Sequence, residues 1–297
     1  MTPLSTWVKG ARPRTLGAGL TPVVAGTAAA GHVIPWRFAA ALLVASALQV
    51  GVNLANDYHD GVRGVDTAER AGPVRLTASG LASPRAVAAA SLLAIGIAGF
   101  AGLALALATT LWLIPLGATA MGALWLYSGG PRPYAGLGLG EVAVFLFFGL
   151  MATAGSAYVQ VERVPAPAWW VSVPMGLLAV AILVANNLRD IPTDEATGKR
   201  TLAVRLGDLS TRALYRAMVV AAFASIPLGV LVYIANESLG LSQWGLFGLA
   251  AWPLAIRPME KVGTATGRDL VPVLTGTAAT HAACGLLLSL GLTLSYL

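Results

Sequence analysis

Long uninterrupted apolar runs constrain this chain more than any other feature. Eight of them, 15–32, 38–56, 86–107, 110–127, 139–157, 168–188, 213–234 and 271–296, approach or exceed the ~20 residues that cross a bilayer as a helix. A shorter run, 242–256, is expected to span as well. An all-α polytopic membrane protein with nine transmembrane helices follows, organised as a single integral membrane domain over 1–297. A membrane β-barrel would need short alternating strands, whereas these runs are continuously apolar and rich in Ala, Leu and Gly. Only 11% of residues are charged and mean hydropathy is +0.74, against about a quarter charged in soluble domains. Residues 1–10 lack the ordered regions of a cleavable signal, so the first apolar helix is expected to persist in the mature protein. Cys284, the single cysteine, lies in the last run and is expected to pack as a small hydrophobe.

Threading nine helices from a cytoplasmic N-terminus puts 17 of the 19 Lys and Arg on one face, leaving only Arg37 and Arg163 on the other. Short loops rich in Lys and Arg stay in the cytoplasm, which fixes the orientation. The same rule accounts for the net charge of +6, so nucleic acid is not an expected partner. Acids are not sorted by that rule, yet most of them fall on the same face, in two long cytoplasmic loops at roughly 57–85 and 189–212. Loops of this length in a compact protein usually carry function, and these are read as ordered caps over the membrane face.

The first loop grows out of "GVNLANDYHDGVRGVDTAERAGPVRL", residues 51–76. Asn53, Asn56, Asp57 and Asp60 recur at helical spacing and line one stripe of a helix end. The second, "ANNLRDIPTDEATGKRTLAVRLG" at 185–207, repeats the plan with Asn186, Asn187, Asp190 and Asp194. Pro192 disfavours the α conformation at Ile191, so a kink or break is expected between the two aspartates. Carboxylates and amides without His or Cys are hard oxygen ligands suited to Mg2+, which commonly joins one or two carboxylates to a substrate's phosphates. Arg75, Arg189, Lys199, Arg200 and Arg205 stand close by in sequence to meet the phosphate oxygens that metal leaves free. Isolated loop acids such as Glu69, Asp208 and Glu260 are read as solvated salt-bridge partners. Paired Asn/Asp clusters at two helix ends are costly to place at a membrane edge without a partner, and are read as a site. His59 is taken as a bystander.

A third stretch, "LYSGGPRPYAGLGLGEVAVFLFFG" at 126–149, ends one helix at Tyr127, turns at Gly129-Gly130-Pro131 and places Glu141 just inside the next helix. A carboxylate there is a functional candidate, and a hydrogen bond to Tyr127, Tyr134 or a loop amide is the structural alternative.

The motifs "NDYHDGVRGVD" and "DIPTDEATGKRTLAVRLG" resemble the two aspartate-rich motifs of the membrane aromatic prenyltransferase (UbiA) superfamily. With "GARPRTL", "GPVRLTASGLASP", "LYSGGPRPYAG" and "GEVAVFLFFG", the chain is similar to the branch that prenylates 1,4-dihydroxy-2-naphthoate in menaquinone synthesis. The resemblance implies nine helices around a central cavity capped by two cytoplasmic loops, in a bacterial plasma membrane. By motif match it implies Asn56, Asp60, Asp190 and Asp194 as ligands for Mg2+, to which Asp66 is added as the nearest further acid; Asp60, Asp190, Asp194, Tyr127 and Glu141 are read as the catalytic residues. From their chemistry and their place beside the motifs, Asn53, Asp57, Arg75, Arg132, Arg189, Lys199 and Arg200 are read as substrate-binding. The implied partners are a polyprenyl diphosphate, 1,4-dihydroxy-2-naphthoate and the lipid bilayer, with no obligate protein partner. Two departures stand out. Many relatives carry an aspartate where Gly64 stands here, and a lysine soon after the tyrosine matching Tyr127, where this chain has Gly-Gly-Pro-Arg132. Prenylation of another aromatic acid such as 4-hydroxybenzoate is the nearest alternative. A transporter is disfavoured because the acids crowd one edge rather than the midplane.

Overall fold

The computed structural model describes residues 2–64 and 74–296, and among them every regular element is helical. Asp66, Glu69 and Arg70 lie outside the described residues. A short helix α1 (Leu4–Ala11) ends at Arg12, whose left-handed conformation (φ 52°) separates it from α2 (Pro13–Ala29). Then follow α3 (Pro35–Val62), α4 (Pro84–Ala108) and α5 (Leu113–Ser128). A 3-10 turn (Tyr134–Leu137) leads into a run made of α6 (Gly140–Val144), a π-helical segment (Phe145–Met151) and α7 (Ala152–Val161). The long helices α8 (Ala166–Ala196) and α9 (Leu202–Ala235) come next. A 3-10 segment (Gln243–Ala251), α10 (Trp252–Lys261), a 3-10 turn (Gly267–Leu270) and α11 (Val271–Ser295) complete the chain.

Each expected apolar run is overlapped by a helix. Six helical runs, those at 35–62, 84–108, 140–161, 166–196, 202–235 and 267–295, are long and apolar enough to cross a membrane. Two more, 15–29 and 113–128, are apolar but shorter. Large apolar side chains cover the outside, among them Phe100 at 79% and Leu107 at 70% exposed, a surface that lipid rather than water would cover. This is the fold of an integral membrane protein. Helix α8 forms its centre: Val171, Met175, Leu178, Ala181 and Ala185 are buried against α2, α7, α9 and α11. Small residues allow close approach, and Gly149 in the π segment meets Gly176 of α8 so tightly that a Cβ there would stand 2.5 Å from the Gly176 Cα.

Two expectations are corrected. Helix α8 continues through Pro192 to Ala196 with no break between Asp190 and Asp194. Proline removes only one N–H, a few residues from the helix end, and the enclosure of α8 on several sides overrides the local preference at Ile191. The stretch 189–212 is also not one long loop. Only 197–201 separates α8 from α9, and Gly207, at φ 75° and ψ 173°, bends the start of α9 instead. Likewise α3 carries 57–62, so the first long connection starts at Arg63.

The ends of the helices sort by chemistry. At one end Arg37 bonds the carbonyls of Ala108 and Val159, both at 3.0 Å, and Glu162 at 3.2 Å, tying the start of α3 to the ends of α4 and α7. The opposite end collects the C-termini of α3, α5 and α8 with the N-terminus of α6, and every acid of the two Asn/Asp motifs among the described residues lies there.

Candidate active site

Two local devices present the acids. Helix α3 continues past Asp60 to Val62, so Asn53, Asn56, Asp57 and Asp60 all sit on regular helix in its last turns. Helix α8 stops at Thr197 and turns at Gly198 (φ 74°), whose left-handed backbone sends the Lys199 N–H back to the Asp194 carbonyl at 2.8 Å. That turn folds Lys199 over the helix end, and Thr201 then caps α9 by accepting from the Val204 N–H.

The two acid groups meet through this lysine. Lys199 Nζ stands 3.4 Å from Asp60 Oδ2 and 4.0 Å from Asp194 Oδ1, with both carboxylates buried. Asp60, Asp194 and Glu141 all lie within electrostatic reach of the Tyr127 hydroxyl. Asp190 is gripped by its neighbour: Arg189 Nε and Nη2 donate to its two oxygens, each at 2.8 Å, with both side chains 3% exposed. Arg189 Nη2 also donates to Asn186 Oδ1 at 2.9 Å, which fixes the guanidinium plane.

The remaining members of the α3 stripe divide their bonds among different neighbours. Asn56 Oδ1 accepts from the Ser128 hydroxyl at 2.7 Å, and Arg63 donates to the Ser128 carbonyl at 2.7 Å and to the Gly130 carbonyl, so the end of α5 is fastened to the end of α3. Asp57, fully buried, accepts from the backbone N–H groups of Leu76 (2.7 Å) and Thr77 (3.0 Å). Asn53 donates to the Ala11 carbonyl and the Thr15 hydroxyl, both at 3.0 Å, bracing the α1–α2 corner. Ser128 and Arg63 escaped the sequence reading as site-forming residues; the signal was the position of Ser128 directly after Tyr127.

Glu141 is hydrogen bonded by Asn187 of α8 at 3.0 Å, both side chains buried. The backbone N–H of Glu141 itself also bonds this carboxylate. Tyr127 stacks edge-on against Tyr134, with ring centroids 5.4 Å apart, and its hydroxyl rests beside Gly140. Burial pushes the Tyr134 phenol up to about 12, so it stays a neutral donor at any working pH. Arg75 is partly buried beside the Asp57 anchor, while Arg132, Arg200 and Arg205 are exposed around the rim. Arg205 donates to the Arg200 and Gly136 carbonyls. His59 packs in aromatic contact with Tyr58 and Trp125.

Among the described residues, no three His, Cys, Asp or Glu side chains form a ready metal cage. The Asp60–Asp194 pair nevertheless fits Mg2+. Both are oxygen donors, they converge from separate helices on one cationic atom, and Mg2+ characteristically uses one or two carboxylates with water and phosphate oxygens for the rest.

Comparison with known proteins gives the family and the fold. The profile of the UbiA prenyltransferase family matches residues 19–269. A 1,4-dihydroxy-2-naphthoate octaprenyltransferase of Mycobacterium leprae is 48% identical over 281 residues, covering 93% of this chain and 92% of that protein. Among solved structures, the apo form of a UbiA homologue from Aeropyrum pernix K1 superposes with a TM-score of 0.71 at 17% identity, covering 96% of this chain and 99% of that one. A UbiA homologue from Archaeoglobus fulgidus bound to DMAPP and Mg2+ gives a TM-score of 0.64 at 14% identity, covering 95% and 98%.

Proposed function

The chain belongs to the UbiA prenyltransferase family, and on that premise we propose that it transfers a polyprenyl group from a polyprenyl diphosphate to 1,4-dihydroxy-2-naphthoate. CO2 and diphosphate are released, and the product is demethylmenaquinol, which oxidises to demethylmenaquinone in menaquinone biosynthesis. The observation that carries this reading is the convergence of Asp60 and Asp194, from α3 and α8, on a single cation. The near end-to-end similarity to a dihydroxynaphthoate octaprenyltransferase supports the choice of acceptor. All nine helical runs span the bilayer, around a central cavity, in a bacterial plasma membrane, with the acid end facing the cytoplasm. The orientation rests on threading nine helices through the sequence, which puts 17 of 19 basic residues on one face. That placement suits a donor whose tail belongs in hydrocarbon and whose diphosphate belongs in water.

Asn56, Asp60, Asp190 and Asp194 would hold Mg2+, with Asp66 nearby in sequence; when bound, it neutralises charge developing on the diphosphate leaving group. Lys199, Arg75, Arg132 and Arg200 meet the remaining phosphate oxygens. Arg189 keeps the Asp190 carboxylate in one orientation through its paired bonds. As the C–O bond of the donor breaks, the Tyr127 ring stabilises the allylic cation through its π-face. Glu141, held by Asn187, is kept in one position near Tyr127. The carboxyl-bearing ring carbon of the acceptor then forms the new C–C bond. Loss of CO2 returns the bonding pair to the ring, and the carboxyl proton leaves to solvent.

Asp60→Asn and Asp194→Asn variants test the site. Each is expected to lose turnover while remaining monodisperse in detergent with a wild-type unfolding temperature to within a few degrees. Near-normal turnover in both would overturn the assignment.

A further inference from the structure

Among the described residues, Arg189 and Lys199 bond the acid site in different ways. Arg189 holds Asp190 with two short parallel bonds and is 3% exposed, a locked arrangement. Lys199 reaches Asp60 at 3.4 Å and Asp194 at 4.0 Å through a flexible four-carbon stem and is 20% exposed, a looser and reversible one. Its ammonium lies between carboxylates from two different helices, which is where a divalent ion joining the same oxygens would lie.

We propose that Lys199 is the built-in counter-ion of the acid site, holding the place between Asp60 and Asp194 while no metal is bound and giving it up when metal enters. The inference rests on the metal assignment above and adds a step to it. Two buried carboxylates facing each other repel, and the lysine ammonium offsets that repulsion between the ends of α3 and α8. The lysine keeps the two helix ends together in the metal-free protein. The Gly198 turn anchors its backbone to the Asp194 carbonyl, so the ammonium can leave the carboxylates without the turn unfolding. Once displaced, it remains at the rim, where a diphosphate oxygen is its natural partner. A locked arginine at this position would block entry of the metal, and a neutral residue would leave the carboxylate repulsion less fully offset.

Mn2+ is a suitable probe because it favours the same oxygen ligands as Mg2+ and its free form is read directly by electron paramagnetic resonance. It would be titrated, without any prenyl donor, into the detergent-solubilised full chain as wild type, Lys199→Met, Lys199→Gln and Asp60→Asn. Removing the competing ammonium is expected to tighten Mn2+ binding by roughly tenfold in both lysine variants. The metal-free Lys199→Met protein should also unfold at a lower temperature than wild type, with saturating Mn2+ closing the gap. Asp60→Asn should bind Mn2+ more weakly. If both lysine variants bind Mn2+ no tighter than wild type while Asp60→Asn still weakens it, the counter-ion role is refuted and the metal site stands. If Asp60→Asn binds as wild type does, the metal assignment falls and the counter-ion role with it. Lys199→Gln, nearly isosteric and polar, carries the test if the methionine variant does not fold.

Discussion

Asp57 is expected to act on the fold of the site rather than on the metal, and its substitution gives a graded result. Its carboxylate is fully buried and accepts two backbone donors, Leu76 N–H at 2.7 Å and Thr77 N–H at 3.0 Å. Leu76 is itself fully buried, in a cluster with Leu54, Ala82 and Val87. Thr77 packs against Gly61, where a Cβ would stand 2.6 Å from the threonine side chain. The two bonds thus pin the segment carrying Arg75 onto the last turns of α3. A hydrogen bond to a charged group contributes about 1.5–3 kcal/mol net, and a buried donor left without a partner costs about 1–3 kcal/mol. Asp57→Asn keeps one acceptor oxygen and turns an amide donor toward the other N–H, for an expected loss of about 2 kcal/mol. Asp57→Ala removes both acceptors and should cost about 4 kcal/mol. Hydrogen exchange in a fixed detergent reads this locally. A loss of about 2 kcal/mol corresponds to roughly 30-fold faster exchange of the Leu76 and Thr77 amides, and the alanine variant should approach the unprotected rate. Mn2+ affinity of Asp57→Asn should stay within about twofold of wild type, since its oxygens face the backbone. Wild-type protection of both amides in the alanine variant would refute the reasoning.

Three further outcomes follow from the geometry. Arg189→Met breaks a buried bidentate pair and should destabilise the protein by about 3–5 kcal/mol, whereas Arg189→Lys, which keeps the charge, should lose less; unfolding in fixed detergent compares them. Gly149→Ala places a methyl against the Gly176 backbone and should cost about 1–3 kcal/mol, seen as a lowered unfolding temperature, while Gly155→Ala, with open space at its Cβ, serves as the neutral control. Because burial raises the Tyr134 phenol from 10.0 to about 12, the folded state retains that proton after the unfolded chain has lost it. Stability owed to Tyr134 is therefore intact below pH 10 and declines as pH rises toward 12, and Tyr134→Phe should unfold with a shallower alkaline decline than wild type.

The sequence was most legible where one short-range rule acts alone. Apolar length located the helical runs, and helical spacing put Asn53, Asn56, Asp57 and Asp60 on one helix end. Spacing could not distribute their bonds. Asp57 and Asp60 are one helical turn apart, yet the first is taken by a backbone segment some 20 residues on and the second by a lysine 139 residues away. Asn186 and Asn187 are adjacent, but the roughly 100° step between helical neighbours sends one to Arg189 and the other to Glu141. Pro192 does not break α8, because its local preference is weak beside the packing that surrounds the helix. The π segment at Phe145–Met151 has no sequence signal of its own and goes with the close crossing of Gly149 on Gly176.

The central claim is the reaction, and product mass tests it most directly. Purified protein in detergent would receive Mg2+, a short polyprenyl diphosphate and either 1,4-dihydroxy-2-naphthoate or 4-hydroxybenzoate, with an EDTA control. The account predicts a metal-dependent prenylated naphthoquinone whose mass lacks CO2. A product formed only from 4-hydroxybenzoate, with its carboxylate retained, would contradict it.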